Sequence, residues 1–232
     1  MKWQDLVTQL FNYQHNICVE EDFLSGSAQF DGAVLSVVGT TNHAAIGVAM
    51  ALKQARALLD VMAQHPGRAI LLLVDTQGQQ LRRRDELLGI NRAMAHLGCC
   101  VDLARRRGHR VIGLVYDQAL SGGFITSGLI ADACYALPEA EIRVMQIPAM
   151  ARVTKIAESR LTELSLANPV FAPGVQNYVA MGGVRGLWRG DLRACLRESL
   201  ALSPTTDERA RDGKARGGRR LAASVVQQVL TA

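Results

Sequence analysis

Residues 69–78 read AILLLVDTQG, and this stretch indicates the class of fold. Its first six residues are apolar and lack the alternation of a strand with one solvated face, which predicts a strand covered on both sides. Asp75-Thr76-Gln77-Gly78 then predicts a tight turn. A second such run, VIGLVY at 111–116, is followed by Ser121-Gly122-Gly123, which we expect to open a helix. Buried strands followed by helices are typical of an α/β protein with a parallel sheet.

The pattern of strand and helix continues on both sides of this stretch. Residues 33–38 (AVLSVV) predict a strand, and the Ala- and Leu-rich residues 44–64 predict a long helix that His65-Pro66-Gly67 ends. Residues 85–107 predict a second long helix, and the alternation predicts βαβ units with right-handed crossovers. Further predicted elements are helices at 1–17, 150–166, 176–181, 191–201 and 221–229, strand-like pieces at 134–137 and 142–146, and an irregular segment at 20–32.

The pattern divides the chain into three parts. We expect an N-terminal helix and irregular segment at 1–30, one α/β domain at 31–200, and a mobile basic segment with a terminal helix at 201–232. Residues 207–220 carry six basic and three acidic side chains and no large apolar residue, which favours mobility. The length of 232 residues is enough to bury a core without disulfide or metal staples.

Composition excludes several classes of protein. With 49% hydrophobic and 20% charged residues the chain is not disordered, and no apolar run approaches the ~18 residues of a membrane span. Asp5 stands where a signal peptide would be apolar, and the five cysteines lack metal-ligand spacing, so we expect a cytoplasmic protein with reduced thiols. The net charge of +5 favours an anionic partner, but with only 5% aromatic residues nucleic acid is not expected to be that partner.

Glycines at the predicted strand ends are the first candidates for a site. Gly39, Gly78 and Gly122-Gly123 lie at carboxyl ends of strands, where open parallel sheets bind ligands. The first N–H groups of a helix have no internal acceptor, so two such turns could direct N–H donors at one oxygen and form an oxyanion hole. Close packing of helix on strand explains the same glycines without a ligand. Neither dinucleotide-binding nor P-loop glycine spacing is present.

Ser121 and Asp75 are the reactive side chains next to these glycines. As a hydrolase nucleophile Ser121 would need a histidine base, and it lacks the GxSxG pattern, so capping of the following helix is the favoured role. Asp75 follows a buried strand, where it can cap its own turn or take part in catalysis. No set of histidines or cysteines has metal-site spacing, so no metal is expected.

Longer stretches of the sequence resemble a known family. Residues 71–98 and 111–155, with their DTQG, SGGF and PAMARVTK runs, resemble the carboxyltransferase branch of the crotonase superfamily and, within it, the gamma subunits of malonate decarboxylases. Gln77 stands where the branch's Asp-Thr-Pro-Gly signature has proline. The order and spacing of the three signatures carry the resemblance, which extends over about residues 32–155 and is thin in the first 30 residues and the basic tail.

The resemblance implies a fold, a reaction and partners. The implied fold is a crotonase-like α/β superhelix of stacked ββα units, here with additional C-terminal helices. The chain would be one half of a pair with a homologous beta subunit, and the active site would lie between the halves. The pair would decarboxylate a malonyl thioester on an acyl carrier protein to an acetyl thioester and CO₂ through an enolate. An acyltransferase alpha subunit would complete the assembly.

The resemblance also implies roles for individual residues. This chain itself would bind no cofactor, because the phosphopantetheine-type arm, derived from dephospho-CoA, would arrive on the acyl carrier protein. Backbone N–H groups would form the oxyanion hole, and nearby side chains would contact the substrate or its anionic groups. The implied catalytic donors are Gln77, Gly78, Gly122 and Gly123, and the implied substrate contacts are Thr76, Ser121, Arg152 and Lys155, with a structural ion pair an equal alternative for Arg152.

Other functions fit parts of the same pattern. The first alternative after a malonate decarboxylase subunit is the alpha-type half of a biotin-dependent acyl-CoA carboxylase, which passes the carboxyl group to biotin. A crotonase-type hydratase or thioesterase would need a carboxylate beside the oxyanion glycines, and the FITSGLI run after Gly123 contains none. A non-catalytic scaffold subunit, whose glycines serve only packing, is the alternative from outside the enzymes.

Overall fold

A computed structural model describes residues 1–145, 147–167, 174–202, 207–218 and 221–231. None of the helices in these ranges is long and apolar enough to cross a membrane. The strands are β1 Cys18–Glu20, β2 Phe23–Phe30, β3 Ala33–Thr40, β4 Ala44–Ile46, β5 Ile70–Gln79, β6 Val111–Leu120, β7 Ala133–Ala136, β8 Glu141–Arg143 and β9 Gly186–Leu187. The helices are α1 Trp3–Phe11, α2 Val48–Gln64, α3 Arg83–Leu87, α4 Ile90–Arg106, α5 Ser121–Phe124, α6 Ile147–Thr154, α7 Glu158–Ala167, α8 Val175–Ala180, α9 Leu192–Ala201, α10 Arg209–Ala215 and α11 Ala222–Leu230.

The strands of the described ranges form one sheet in the order β1-β2-β3-β5-β6-β7-β9, with β4 beside β5 and β8 beside β6. The first halves of β5 and β6 pair in parallel with β3 and β7, and their second halves pair with β4 and β8. Each long strand therefore contributes to two parts of the sheet and is followed by helix. These repeats of two strand segments and a helix are the ββα units that the resemblance implies.

The central strand β5 is covered on both faces, as its unbroken apolar run predicts. Leu71 and Leu73 pack in a core that includes α1 and α9, whereas Ile70 and Leu72 pack in a core between the sheet and the helices α2 and α4. All four leucine and isoleucine side chains are buried. Burial of this kind stabilises the folded state by about 1.5–3 kcal/mol per large aliphatic side chain. The sheet is therefore a rigid support for the segments that follow its strands.

The segment at 20–32, predicted to be irregular, is a β-hairpin edge instead. β2 pairs antiparallel with β3 from Phe23 opposite Thr40 to Phe30 opposite Ala33, and β1 pairs antiparallel with β2. The run Ser25-Gly26-Ser27 interrupts the apolar alternation, which is why the pattern does not indicate a strand. The expected division between residues 30 and 31 falls in the turn of this hairpin, so the edge strands continue the main sheet.

Three further boundaries differ from the predictions. The helix predicted from residue 44 begins at Val48, because 44–46 form β4 and the Asp85 carboxylate accepts the Val48 N–H at 2.8 Å. The helix predicted at 85–107 is divided into α3 and α4 at Gly89, which has a φ of 76°. The tight turn predicted at 75–78 is the second half of β5, because β4 supplies a pairing partner there.

Among the C-terminal helices, α9 and α10 pack on the body of the protein, whereas α11 has no buried residue. The helix predicted at 150–166 is two helices, α6 and α7. In the basic segment Arg209 donates to the Ala131 carbonyl at 2.6 Å, and Arg216 donates to the Val179 carbonyl at 2.9 Å. The mobility expected for 201–232 stays a prediction, with residues 203–206, 219–220 and 232 outside the described ranges, but residues 207–218 contain a helix whose arginines bond to the main body.

Candidate functional site

The two central strands bend at the same level of the sheet. Val74 pairs with Val115, and the next pair is Thr76 with Ala119, so β6 carries two more residues than β5 across the bend. A mismatch of this kind is a bulge, which turns a strand and redirects the side chains around it. After the bend, β5 continues as Thr76 to Gln79, and β6 continues into Ser121 at the start of α5. We call Thr76–Gln79, the part of β5 after its bend, the β5 turn, and residues 120–123, where β6 runs into α5, the β6 turn. The bend therefore brings the two glycine signatures together.

The β5 side of this junction is closed by internal hydrogen bonds. Thr76 is fully buried, and its hydroxyl donates to the Ala44 carbonyl at 2.6 Å. The same hydroxyl accepts the Gly78 N–H at 2.9 Å. Gly78, an implied oxyanion donor, thus already has its N–H bonded within the protein, and Thr76, an implied substrate contact, has no surface on which to meet a substrate. In this structure the polar groups of both residues are therefore directed at partners inside the protein.

The β6 side is packed against that closed turn. A Cβ on Gly123 would lie 2.9 Å from Ile46 Cγ1 and 3.1 Å from both Gly78 Cα and Thr76 Oγ1. A Cβ on Gly78 would lie 2.9 Å from the Leu120 carbonyl oxygen. Contacts this short leave no room for side chains, so both glycines are needed for the strand ends to meet.

The N–H groups of Gly122 and Gly123 lie in the first turn of α5, where a helix offers no internal acceptor. Gly123 is buried and Gly122 is half-buried, and a Cβ on Gly122 would meet only the flexible ends of Met94 at 3.2 Å and Gln79 at 3.9 Å. A π-helical turn, Ile125–Leu129, continues α5, and Ser127 donates to the Gly123 carbonyl at 2.7 Å. The carbonyls of this turn are thus bonded within the helix, while its leading N–H groups have no acceptor inside the helix.

Ser121 does not have the capping role that its position predicts. Leu120 is the residue at the N-cap, and no side-chain capping bond is formed there. Ser121 has a φ of 52°, in the left-handed region that non-glycine residues rarely adopt. Such strain persists only where the surrounding structure imposes it, and it is concentrated at functional sites. Here the strain allows β6 to turn directly into α5.

The other implied site residues lie on the surface. The side chain of Gln77 is exposed between the buried Thr76 and Gly78. Arg152 and Lys155 are exposed at the end of α6, and among the described residues neither has an ion-pair partner, so the structural ion pair considered for Arg152 is absent from that part of the chain. Gly39 lies within β3 against Leu73 of β5, and there close packing is the full explanation of the glycine.

Sequence reasoning missed a polar cluster beside the bend. His43, Asp75 and Asp117 come from three separate segments, yet one ligand atom of each lies within 4.8 Å of the others. Asp75 is 2% exposed, and its carboxylate accepts the His43 backbone N–H at 3.0 Å. Burial raises the pKa of Asp75, although the His43 N–H and imidazole act in the opposite direction. Spacing along the chain could not reveal the cluster, because the bulges of β5 and β6 create it.

A comparison with protein families identifies the family of this chain. The family model described as malonate decarboxylase gamma subunit matches residues 41–232, which include both bends, all three signatures and the C-terminal helices. The chain belongs to the malonate decarboxylase gamma subunit family. The resemblance predicted from the DTQG, SGGF and PAMARVTK runs is therefore confirmed.

A curated relative of this gamma subunit family member acts in a related system. The chain is 35% identical over 139 residues to the malonyl-S-ACP:biotin-protein carboxyltransferase MADD of Malonomonas rubra. The matched region is 58% of this chain and 48% of that protein. The chain thus spans about half the length of the curated relative that it matches, and the relative's activity is that of a longer protein.

Solved structures confirm the fold of this gamma subunit family member. A Pseudomonas malonate decarboxylase hetero-tetramer in complex with coenzyme A aligns with a TM-score of 0.81 at 24% identity, over 97% of both chains. A Pseudomonas malonate decarboxylase MdcD-MdcE hetero-dimer aligns with a TM-score of 0.75 at 26% identity, over 97% of this chain and 96% of that chain. Transcarboxylase 12S aligns with a TM-score of 0.73 at 19% identity, over 88% of this chain and 42% of that chain. The predicted crotonase-like fold is confirmed.

Proposed function

We propose that the chain is the gamma half of a malonate decarboxylase and acts only together with a homologous beta subunit. The substrate would be a malonyl thioester on an acyl carrier protein, and the products an acetyl thioester and CO₂. Membership of the gamma subunit family over residues 41–232 carries this proposal. The hetero-dimeric and hetero-tetrameric Pseudomonas complexes support the need for a partner, and the name of the Malonomonas relative supports a malonyl group on a carrier protein.

The chemistry requires a place for one negative charge. Loss of CO₂ from a malonyl thioester leaves the bonding electrons on the α-carbon, and resonance moves them to the thioester oxygen as an enolate. Donors directed at that oxygen stabilise the transition state more than the ground state, which is what accelerates the reaction. The α-carbon then takes a proton, and the acetyl thioester leaves. No step needs a nucleophilic side chain, and the site at the bend is correspondingly made of backbone.

Gly122 and Gly123 are the donors that we assign to this charge. Their N–H groups stand in the first turn of α5, whereas the Gly78 N–H is bonded to Thr76 Oγ1 at 2.9 Å. The β5 turn then serves as the fixed wall that holds α5 in place, because Gly123 lies directly against it. Gln77, exposed beside that wall, stays an expected backbone donor toward the substrate or the partner subunit.

The carrier protein would bring its own prosthetic arm, so the chain is expected to contact that arm as part of the substrate. Coenzyme A contains the same phosphopantetheine unit, and a Pseudomonas relative of this fold is described in complex with it. Arg152 and Lys155 are the exposed cations that we assign to the anionic groups of the incoming thioester. Arg209 and Arg216 of the basic segment are less suitable, because both are bonded to carbonyls of the main body.

The direct test is reconstitution. The chain is co-expressed with its homologous beta subunit, and CO₂ release from malonyl acyl carrier protein is measured without biotin and with each chain alone. The proposal predicts release that requires both chains and no biotin carrier. Release by either chain alone, or no release by the pair, contradicts it.

One observation favours a second function. The Malonomonas relative is named as a carboxyltransferase to a biotin protein, and it is 35% identical to this chain. If the pair releases no CO₂ alone but transfers the carboxyl group once a biotin carrier is added, the chain is the corresponding half of a biotin-dependent carboxyltransferase. The same enolate and the same N–H donors would serve both reactions, since they differ only in where the carboxyl group goes.

A further inference from the structure

A histidine and two aspartates converge on one point beside the strand bends. His43 precedes β4, Asp75 lies at the bend of β5, and Asp117 lies in the extra residues of β6. His43 Nε2 is 3.6 Å from Asp75 Oδ1 and 3.7 Å from Asp117 Oδ1. Both distances are too long for hydrogen bonds, so the three groups face one another across a gap.

Asp75 provides a second, independent observation. Its side chain is 3% exposed, and Oδ1, the oxygen that faces the gap, has no partner within hydrogen-bond geometry among the described residues, although the Gln118 backbone N–H is near enough to favour the charged carboxylate. The other oxygen, Oδ2, accepts the His43 backbone N–H at 3.0 Å. A buried carboxylate oxygen without a donor is costly, and protein structures resolve such a group with a proton, a cation or a metal ion.

The gap can be reached from solvent, and the segments around it are joined by a hydrogen bond. The side chains of His43 and Asp117 are 51% and 42% exposed, so an ion can enter between them. The Tyr116 hydroxyl donates to the Thr40 carbonyl at 2.9 Å and ties the bend of β6 to the end of β3. The Met1 amino group lies 3.8 Å from Asp117 Oδ2, the oxygen that does not face His43.

We propose that His43 Nε2, Asp75 Oδ1 and Asp117 Oδ1 bind one divalent transition-metal ion, with Zn²⁺ the best match. Ligand atoms about 2.0–2.2 Å from zinc at tetrahedral angles are about 3.4 Å apart, close to the separations at His43. An imidazole nitrogen with two carboxylates is a donor set that zinc accepts, with water in the fourth position. Mg²⁺ is a poor match, because it requires six oxygen ligands in octahedral geometry.

A metal at this point would have a structural effect on the site. It would join the segment before β4 to the bends of β5 and β6, and Thr76 is the residue directly after Asp75. The β5 turn, against which Gly123 packs, would then be held in place by the ion at Asp75 as well as by the hydrogen bonds of Thr76. The ion would take no part in the decarboxylation steps, so the inference stands independently of the proposed reaction.

The test is metal binding by the full chain, prepared without a polyhistidine tag and without an N-terminal extension. Co²⁺ is titrated while the visible absorption of tetrahedral cobalt is followed, and Zn²⁺ is then added as competitor. We expect one equivalent of Co²⁺ per chain, displaced by Zn²⁺ and not by Mg²⁺, and a melting temperature that rises with Zn²⁺ and falls with a chelator.

Variants test whether the ion binds at this cluster. His43→Ala and Asp117→Asn, both at exposed side chains, are expected to weaken Co²⁺ binding at least tenfold and to abolish the rise in melting temperature. His65→Ala, at the end of α2, is the matched control and should bind as wild type. Absence of tetrahedral cobalt in the wild-type chain overturns the proposal. Binding that survives both variants, or that is lost in His96→Ala, where His96 lies 3.7 Å from Cys100 Sγ, overturns it equally.

Discussion

The two turns that meet at the centre of the site differ in how their backbone groups are used. In the β5 turn the Thr76 hydroxyl bonds to the Ala44 carbonyl at 2.6 Å and to the Gly78 N–H at 2.9 Å, so the turn is closed on itself. In the β6 turn the N–H groups of Gly122 and Gly123 begin a helix and have no acceptor within it. In the proposed function the first turn therefore serves as a wall, and the second carries the donors.

Two similar glycine signatures can thus differ in whether their N–H groups are bonded within the protein. Both turns follow buried parallel strands, and both contain glycines that no side chain could replace. Only the hydrogen bonds distinguish them, because a donor that is already bonded cannot stabilise an enolate. Substitutions that change one turn at a time test this division.

Gly123→Ala is expected to have the largest effect. The added Cβ would press on Ile46, Gly78 and Thr76 and shift the first turn of α5 away from the β5 wall. Displacement of an oxyanion donor lowers turnover by about 100-fold. The measurement is kcat for CO₂ release by the purified complex, with assembly checked by size-exclusion chromatography.

Gly98→Ala is the control for that variant. Gly98 lies in α4, where a Cβ would meet only Ile130 Cδ1 at 3.5 Å, an ordinary contact. This variant should assemble and turn over as wild type, since alanine suits a helix interior better than glycine. If the Gly123→Ala complex assembles and decarboxylates normally, the β6 turn is not the source of the donors, and a scaffold role for the chain gains support.

Thr76→Val tests whether the β5 turn is structural. Valine keeps the shape of threonine but removes the hydroxyl, which leaves the Ala44 carbonyl and the Gly78 N–H without their partner. We expect the free energy of unfolding to fall by about 2 kcal/mol, because unsatisfied buried groups are costly. Urea denaturation measures the loss. Thr76→Ser, which keeps the hydroxyl, should lose only about 1 kcal/mol for its missing methyl group. Equal stability of the valine variant and wild type would show that the β5 turn is not held by this hydroxyl.

Ser121 tests the strain in the β6 turn. Its φ of 52° is unfavourable for any side chain and most unfavourable for a β-branched one. Ser121→Val should therefore lower the free energy of unfolding by about 1–2 kcal/mol, whereas Ser121→Gly should stay within about 1 kcal/mol of wild type. Thermal or urea unfolding of the two variants side by side gives the comparison. A valine variant as stable as the glycine variant would mean that the turn relaxes easily and imposes no geometry on Gly122 and Gly123.

The smallest effect on stability is expected for substitution of Asp31, which lies in the hairpin outside both turns. A hydrogen bond from Arg197 is the main cause that lowers the pKa of Asp31 below its usual 3.8. A carboxyl group with a lowered folded pKa adds stability above the unfolded pKa and loses it as the pH falls through the folded pKa. The stability difference between wild type and Asp31→Asn should therefore be present at pH 7 and shrink below pH ~4. A stability difference that does not change with pH would show that the ion pair is not its cause.

Much of the fold could be predicted from the sequence, because the first halves of β5 and β6 are unbroken apolar runs, which are typical of buried strands. The hairpin strand β2 could not, since Ser25, Gly26 and Ser27 break its alternation. At the site, the glycines could be found from their positions after buried strands. The division of roles that we propose for them could not, because it depends on the hydrogen bond from the Gly78 N–H to the Thr76 hydroxyl. The cluster of His43, Asp75 and Asp117 is the hardest feature to predict, since its three residues meet only through the bulges of two strands.

The central claim is that Gly122 and Gly123 hold the oxygen on which the enolate charge develops. The most direct measurement is a crystal structure of the chain with its beta subunit and a stable malonyl-thioester or enolate analogue. The account predicts the thioester oxygen of the analogue within about 3.1 Å of the Gly122 and Gly123 nitrogens. A thioester oxygen bound by the β5 turn, or entirely by donors of the partner subunit, would contradict the account.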